Sequence, residues 1–251
     1  MPPTTPERRT PPTDAGSFAT THWSTVIEAR DGTTAQADEA LATLCHNYWA
    51  PLYAFLRRTG YSPHDAEDHV QSFFVRFFEK EWLRDVDPRK GRFRSFLLAS
   101  LRHFVSNVER SNRRLRRGGK WDRINLDVPG EEKQWVVEMA LQETPQQTYD
   151  RRWAETVIQN ASSRLRKEMR AADRGKVFGM ARKWLATDPA PGDYERAAAK
   201  LGITINALRI SVFRMRSRYG ELVRAEVAGT VHDGDDVDSE VRYLLDVLAS
   251  D

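Results

Sequence analysis

Between Arg89 and Lys120 the chain reads RKGRFRSFLLASLRHFVSNVERSNRRLRRGGK, eleven Lys or Arg against one acid, Glu109. That local excess of ten positive charges is larger than the formal net charge of the whole chain, +3, so the remainder is negative overall. Cations concentrated in one place call for an anionic partner at that place. At helical spacing, Phe93, Leu97, Ser100/Leu101, Phe104 and Val108 form one stripe suited to a core. The opposite stripe holds Arg102, Ser106, Arg110, Arg113 and Arg117, with His103, Asn107 and Arg114 beside it. Guanidinium groups neutralise phosphates, and Arg, Asn and His also hydrogen-bond base edges. A helix that is merely solvated mixes its signs to limit self-repulsion, and this one does not. The pattern points to a helix lying on nucleic acid.

The elements that must hold this face are helical, and alternating strand patterns are scarce. Composition is that of a packing protein, 40% hydrophobic and 30% charged. No apolar run approaches the ~20 residues of a membrane span, and the first residues, MPPTTPERRTPPTDAG, hold five prolines and no apolar leader. The expectation is a cytoplasmic chain whose residues 1–20 do not fold by themselves. Cys45 is the one cysteine; it falls at helical spacing with Leu41, Tyr48/Trp49, Leu52 and Phe55/Leu56 and reads as a small core side chain, with no intramolecular disulfide and no cysteine-based zinc site.

In chain order, a short helix is expected over Ser24–Ala29 and a long one over Ala37–Arg58, ended by Gly60. Ser62-Pro63 opens a third, HDAEDHVQSFFVRFFEKEWL, with Ala66, Val70, Phe73/Phe74 and Phe77 inward and Asp65, Glu67 and Asp68 at the positive end of the helix dipole. Asp87-Pro88 and Gly91 mark a turn before the basic helix. These make a first helical domain, 21–117. Residues 118–143, with Gly118-Gly119 and Pro129-Gly130, read as a linker. Thr144-Pro145-Gln146-Gln147 is a capping box for a helix with Tyr149, Trp153, Val157, Ala161 and Leu165 at four-residue spacing. A further helix is expected over Lys176–Ala186, and Pro189–Gly192 is a loop. Tyr194, Ala197/Ala198 and Leu201 then meet Gly202, and Thr204 caps a longer helix with Leu208, Val212, Met215 and Tyr219 inside. This is the helix-turn-helix pattern, with Asn206, Arg209, Ile210, Phe213, Arg214, Arg216 and Ser217 outward. The second domain is therefore 144–229, followed by an acidic extension, 230–251, whose Val241, Leu244, Leu245 and Leu248 could dock on one of the domains. The expected fold class is all-α: two small helical domains, a flexible linker and a short C-terminal extension.

Taken together, these segments resemble the extracytoplasmic-function type of RNA polymerase sigma factor, over about 230 of the 251 residues. YWAPLYAFLRRTGYSPHDAEDHVQSFFVRFFEK is similar to the half-domain that binds the clamp of core polymerase. GRFRSFLLASLRHFVSN resembles the family's promoter-melting helix, and the helix-turn-helix resembles the domain that reads the upstream element. The resemblance implies that Asp68, Gln71 and Ser72, with Phe74 nearby, meet core RNA polymerase. It implies that Arg94, Arg102, His103, Asn107 and Arg110 contact the non-template strand of the minus-ten element, while Arg113, Arg114, Arg116 and Arg117 meet phosphates. A pocket between the Trp82–Gly91 loop and the basic helix would take a flipped base. Asn206, Arg209, Ile210, Phe213, Arg214 and Arg216 would face the minus-thirty-five element. Where many members have Arg-Asn in the melting helix this chain has Arg102-His103, and Thr204-Ile205-Asn206 replaces the usual Ser-Glu-Gly. Ile210 and Phe213 stand where polar residues are common, which implies a different upstream sequence, with contact to a thymine methyl as one option. The implied partners are core polymerase, promoter DNA and, as a further candidate, an anti-sigma protein. No catalytic residue, metal or cofactor is implied.

Two other classes fit parts of the chain. His64-Asp65-Ala66-Glu67-Asp68-His69 places Asp65 and His69 four apart, a spacing that metal sites use, although no completing His or Cys cluster follows. A stand-alone helix-turn-helix regulator would use the C-terminal half but leaves the N-terminal domain unexplained. The acidic extension raises a separate expectation: its carboxylates either solubilise the chain or lie across a basic DNA-binding face and hold the free protein inactive.

Overall fold

The computed structural model describes residues 34–79, 92–116, 143–231 and 237–250. Among them are eight α-helices, a 3₁₀ turn at Arg182–Trp184 and no strand. The helices are α1 (Thr34–Thr59), α2 (Pro63–Phe77), α3 (Phe93–Arg116), α4 (Pro145–Ala171), α5 (Gly175–Ala181), α6 (Asp193–Leu201), α7 (Ile205–Ala228) and α8 (Val237–Ala249). The expected helix at Ser24–Ala29, the Asp87–Gly91 turn and the 118–142 part of the expected linker lie outside the described residues.

Local chemistry accounts for the helix boundaries. Gly60 follows α1 at φ 106°, a conformation that a Cβ disfavours, and lets the Tyr61 N–H return to the Leu56 carbonyl at 3.2 Å. Ser62 Oγ accepts from the Asp65 N–H at 3.1 Å and Pro63 occupies the first turn of α2. At α4 both halves of the capping box form: Gln147 N–H to Thr144 Oγ1 at 3.2 Å, and Thr144 N–H to Gln147 Oε1 at 2.8 Å. Two expected helices come out shorter. α2 stops at Phe77, and the Lys176–Ala186 helix is α5 tightening into the 3₁₀ turn.

α4 is the hub of the packing. It touches α1, α5, α7 and α8, while α2 packs between α1 and α3. Its expected stripe is buried throughout: Tyr149, Trp153, Val157, Ala161 and Leu165. Arg58 donates to the Glu143 carbonyl at 2.6 Å, whereas Asn47 Oδ1 accepts from Asn160 at 2.9 Å, so α1 and α4 run antiparallel. The two groups of helices expected as separate domains therefore lie in direct contact. One apolar cluster runs from Leu44 through Phe73, Phe93 and Trp153 to Val212 and Leu244. Burying an aromatic such as Trp153 at this junction contributes roughly 2–3 kcal/mol.

The C-terminal extension docks, as its apolar pattern suggests, but on a rotated face. Leu244 and Glu240 are buried and Val241, Tyr243, Val247 and Leu248 pack against the core, whereas Leu245, expected inside, is exposed. The rotation places Glu240 inward, where it meets arginines from another segment.

Candidate nucleic-acid interface

α3 separates its residues as its periodicity predicts. Phe93, Leu97, Leu101 and Phe104 are buried, while Arg102, His103, Ser106, Asn107 and Arg110 are exposed. Glu109, the acid of the stretch, is half-buried and accepts from the Tyr61 hydroxyl. Arg102 donates to Gln146 Oε1 at 2.9 Å and its guanidinium lies 5.0 Å over the Phe55 ring, which orients it without enclosing it. Asn107 Nδ2 is 3.3 Å from the His103 ring nitrogen Nε2. This leaves a strip of two cations, an amide, an imidazole and a hydroxyl along the middle turns of the helix, able to take phosphates and base edges together. The backbone of Arg113, Arg114 and Arg116 continues α3; their side chains, Arg117 and the Trp82–Gly91 pocket lie outside the described part of the chain.

Arg94 does not belong to this strip. Its side chain is 5% exposed, with Nη1 2.6 Å from Asp150 Oδ1 and Nε 2.7 Å from Glu240 Oε1. The guanidinium lies 4.8 Å from the Trp153 ring centre and 4.5 Å from that of Tyr243. Burial works against its charge, but the hydrogen bond and field of Glu240, with Asp150 behind, outweigh it and raise the guanidinium above its ordinary range. Burial also pushes the Tyr149 hydroxyl, which donates to the Arg94 carbonyl at 2.9 Å, well above the usual phenol range. Arg94, set on a DNA strand by the resemblance, here has its neighbours from α4 and α8, far along the chain.

The expected polymerase-binding group divides between surface and core. Asp68, Gln71 and Ser72 are exposed on α2, and His64 Nδ1 lies 3.0 Å from Asp68 Oδ2. Phe74 instead is buried at 4% exposure and stacks on Trp49, centroids 6.2 Å apart and planes 11° from parallel. The exposed apolar residue of this face is Val75, 66% exposed and seven positions after Asp68, a spacing the sequence offered. The residues of the metal reading are turned elsewhere. Asp65 Oδ2 accepts from Ser62 Oγ at 2.8 Å and His69 meets Tyr61 edge-on at 5.0 Å. Among the described residues no group of three or more His, Cys, Asp or Glu is placed to hold a metal ion.

α6 and α7 are joined by a short turn. Gly202 closes α6 at φ 66°, its N–H on the Ala199 carbonyl at 3.3 Å, and Thr204 Oγ1 caps α7 by accepting from Ala207 N–H at 3.1 Å. Leu208, Ser211, Val212 and Met215 face the core. Asn206, Arg209, Ile210, Phe213, Arg214 and Ser217 face outward, with Phe213 at 73% exposure and Ile210 at 45%. Arg209 lies 5.5 Å from the Tyr194 ring centre. Arg216 departs from expectation. It folds back onto the preceding loop, donating to the Trp184 carbonyl at 2.7 Å, the Thr187 carbonyl at 2.8 Å and Asp188 at 2.9 Å. It braces α7 against that loop.

The described residues are all-helical, with an exposed strip on α3 that carries Arg102, His103, Asn107 and Arg110. No helix among the described residues is long and apolar enough to cross a membrane. No family model matches the chain, and neither the curated proteins nor the solved structures contain a match.

Proposed function

We propose that the chain is a transcription initiation factor of the sigma type, which binds core RNA polymerase and directs it to promoters. In this reading the α2 face, Asp68, Gln71, Ser72 and Val75, rides on the polymerase. The α3 strip, Arg102, His103, Asn107 and Arg110, takes the downstream element, with Arg113, Arg114, Arg116 and Arg117 on phosphates. Asn206, Arg209, Ile210, Phe213 and Arg214 of α7 enter the major groove of the upstream element. The observation that carries the reading is the pairing of two outward, acid-poor helix faces, on α3 and α7, each backed by a buried apolar stripe. Melting requires reward for single strands, and a strip that mixes guanidinium with imidazole and amide groups supplies both charge and base-edge contacts.

The direct packing of α4 on α1 favours one other reading, a self-contained helix-turn-helix regulator that needs no second protein. Run-off transcription with purified core polymerase separates the two. A sigma-type factor yields promoter-specific transcripts only when the chain is added. Stable, sequence-selective binding of the chain alone, with no effect on initiation, would establish the regulator instead.

A further inference from the structure

Glu240 is an unusual residue to find at 0% exposure, and its surroundings explain how it is held. Oε1 accepts from Arg94 Nε at 2.7 Å, and Oε2 lies 2.9 Å from Arg92 Nε. Two arginines two positions apart, at the start of the basic helix, close on one carboxylate from either side. Guanidinium pairs take phosphate in the same way, since both anions present oxygens at matching separation. The anion seated here is the chain's own, carried on α8. Further contacts fix that helix across the boundary between the two helical groups. Tyr243 donates to Asp150 of α4 at 2.9 Å, Asp238 pairs with Arg224 of α7, and Arg151 donates to the Ser250 carbonyl at 3.2 Å. The Phe93 N–H, at the first residue of α3, is bonded to the Thr230 carbonyl just beyond α7, at 3.1 Å.

We propose that α8 is an autoinhibitory latch: its Glu240 occupies an anion-binding arginine pair, Arg92 and Arg94, that nucleic-acid phosphate takes when α8 leaves. The latch rests on the nucleic-acid reading above and adds a regulated step to it. In the closed state α8 conceals Arg94 and neutralises the front of the basic helix, while the strip from Arg102 onward remains open. It also ties the α3 end of the first helical group to α4 and α7 of the second, so that the α3 and α7 faces are held in one body. Release of α8 removes one carboxylate from between two arginines; it frees Arg92 and opens the Nε side of Arg94, whose Nη1 stays on Asp150 of α4. Anything that binds the apolar stripe of α8 (Val241, Leu244, Val247 and Leu248) or the anion pair itself shifts the balance towards the open form.

The test uses the full chain and Glu240→Gln, with two readouts. Hydrogen exchange of the 237–249 amides reports whether α8 opens. Fluorescence anisotropy with labelled single-stranded and duplex oligonucleotides, over a salt series, reports what opening exposes. The latch predicts that α8 exchange quickens at least about tenfold in Glu240→Gln. It also predicts tighter oligonucleotide binding and a log K against log salt slope steeper by about 1, since Arg92 is freed while Arg94 keeps Asp150 as its counter-charge. Unchanged exchange would show that Glu240 does not hold α8, and would overturn the latch. Faster exchange with unchanged affinity and slope would overturn it as well, because the arginine pair would not be an anion site; binding by the wild-type chain would then leave the nucleic-acid reading standing. No binding by either protein, with α8 released, would overturn the reading and the latch together. If Glu240→Gln loses its far-UV helical signal, Asp238→Asn, at an exposed position, replaces it: smaller shifts in the same directions support the latch, and none overturns it.

Discussion

Replacing Arg94 by Met keeps an apolar stem of similar reach and removes the charge that Asp150 and Glu240 share. Those carboxylates are 5% and 0% exposed, so neither recovers much hydration when the guanidinium is lost. Breaking a buried pair by removing one partner costs about 3–5 kcal/mol, because an uncompensated charge stays behind. Here two carboxylates are left, although Arg92, 38% exposed at its side chain, still reaches Glu240. The rings of Trp153 and Tyr243 also lose their cation, worth up to about 2 kcal/mol where water is excluded. The expectation is a loss of about 3–5 kcal/mol. With a urea slope of about 3 kcal/mol/M for a chain of this size, the midpoint falls by roughly 1–2 M. Equilibrium urea unfolding followed by far-UV circular dichroism measures it. The double variant Arg94→Met/Glu240→Leu should regain part of the loss, since apolar replacement of a buried pair is close to neutral while Asp150 stays without its cation. A midpoint shift under about 0.3 M for Arg94→Met, or a double variant less stable than the single one, would refute the claim that charge compensation holds the α3, α4 and α8 junction.

Two further expectations follow from particular contacts. Arg218 grips Glu168 with both Nε and Nη2 at 2.9 Å, and that hydrogen bonding holds the Glu168 carboxyl below its ordinary 4.5. Because the folded value is depressed, the stabilisation is complete above 4.5 and is lost as pH falls through the lower, folded value; side-chain carbon NMR should find the titration below 4.5 in the wild type and near it in Arg218→Ala, with less than about 1 kcal/mol at stake for so exposed a pair. Phe213→Ala, at 73% exposure, should leave the unfolding midpoint within error while lowering affinity for an upstream element selected by the wild-type protein, by roughly tenfold for each thymine methyl that the ring no longer covers; equal affinity of both proteins for that DNA in a gel-shift titration would remove Phe213 from the reading surface.

Much of the fold was legible because it is written in local chemistry. A cap needs a hydroxyl and a donor three residues on, so Ser62, Thr144 and Thr204 announced their helices. A reversal at positive φ needs no Cβ, so Gly60 and Gly202 announced the ends of two more. Stripes such as Tyr149–Leu165 needed only the 3.6-residue period. The exposed parts of the candidate interface, Arg102 to Arg110 on α3 and Asn206 to Phe213 on α7, followed from the same period read on the opposite face. Phe74 shows the period and the resemblance diverging: the resemblance set it near a partner, whereas the period set Phe73 and Phe74 both inward, where they are buried, Phe74 stacked on Trp49.

Local chemistry dictates that the described residues are helical, where most of their helices start, and where the positive charge lies, because each depends on residues within a turn or two of one another. Long-range packing is what buries Arg94, seats Glu240 of the acidic extension on it and gives the two helical groups one core. The partners of Arg94 lie 56 and 146 positions away, and no periodicity connects them. Charge type sets what a side chain demands of its surroundings. Whether water or a distant carboxylate meets that demand is settled when α4 and α8 pack, because the desolvation that would exclude a lone guanidinium is offset only by partners delivered by the fold.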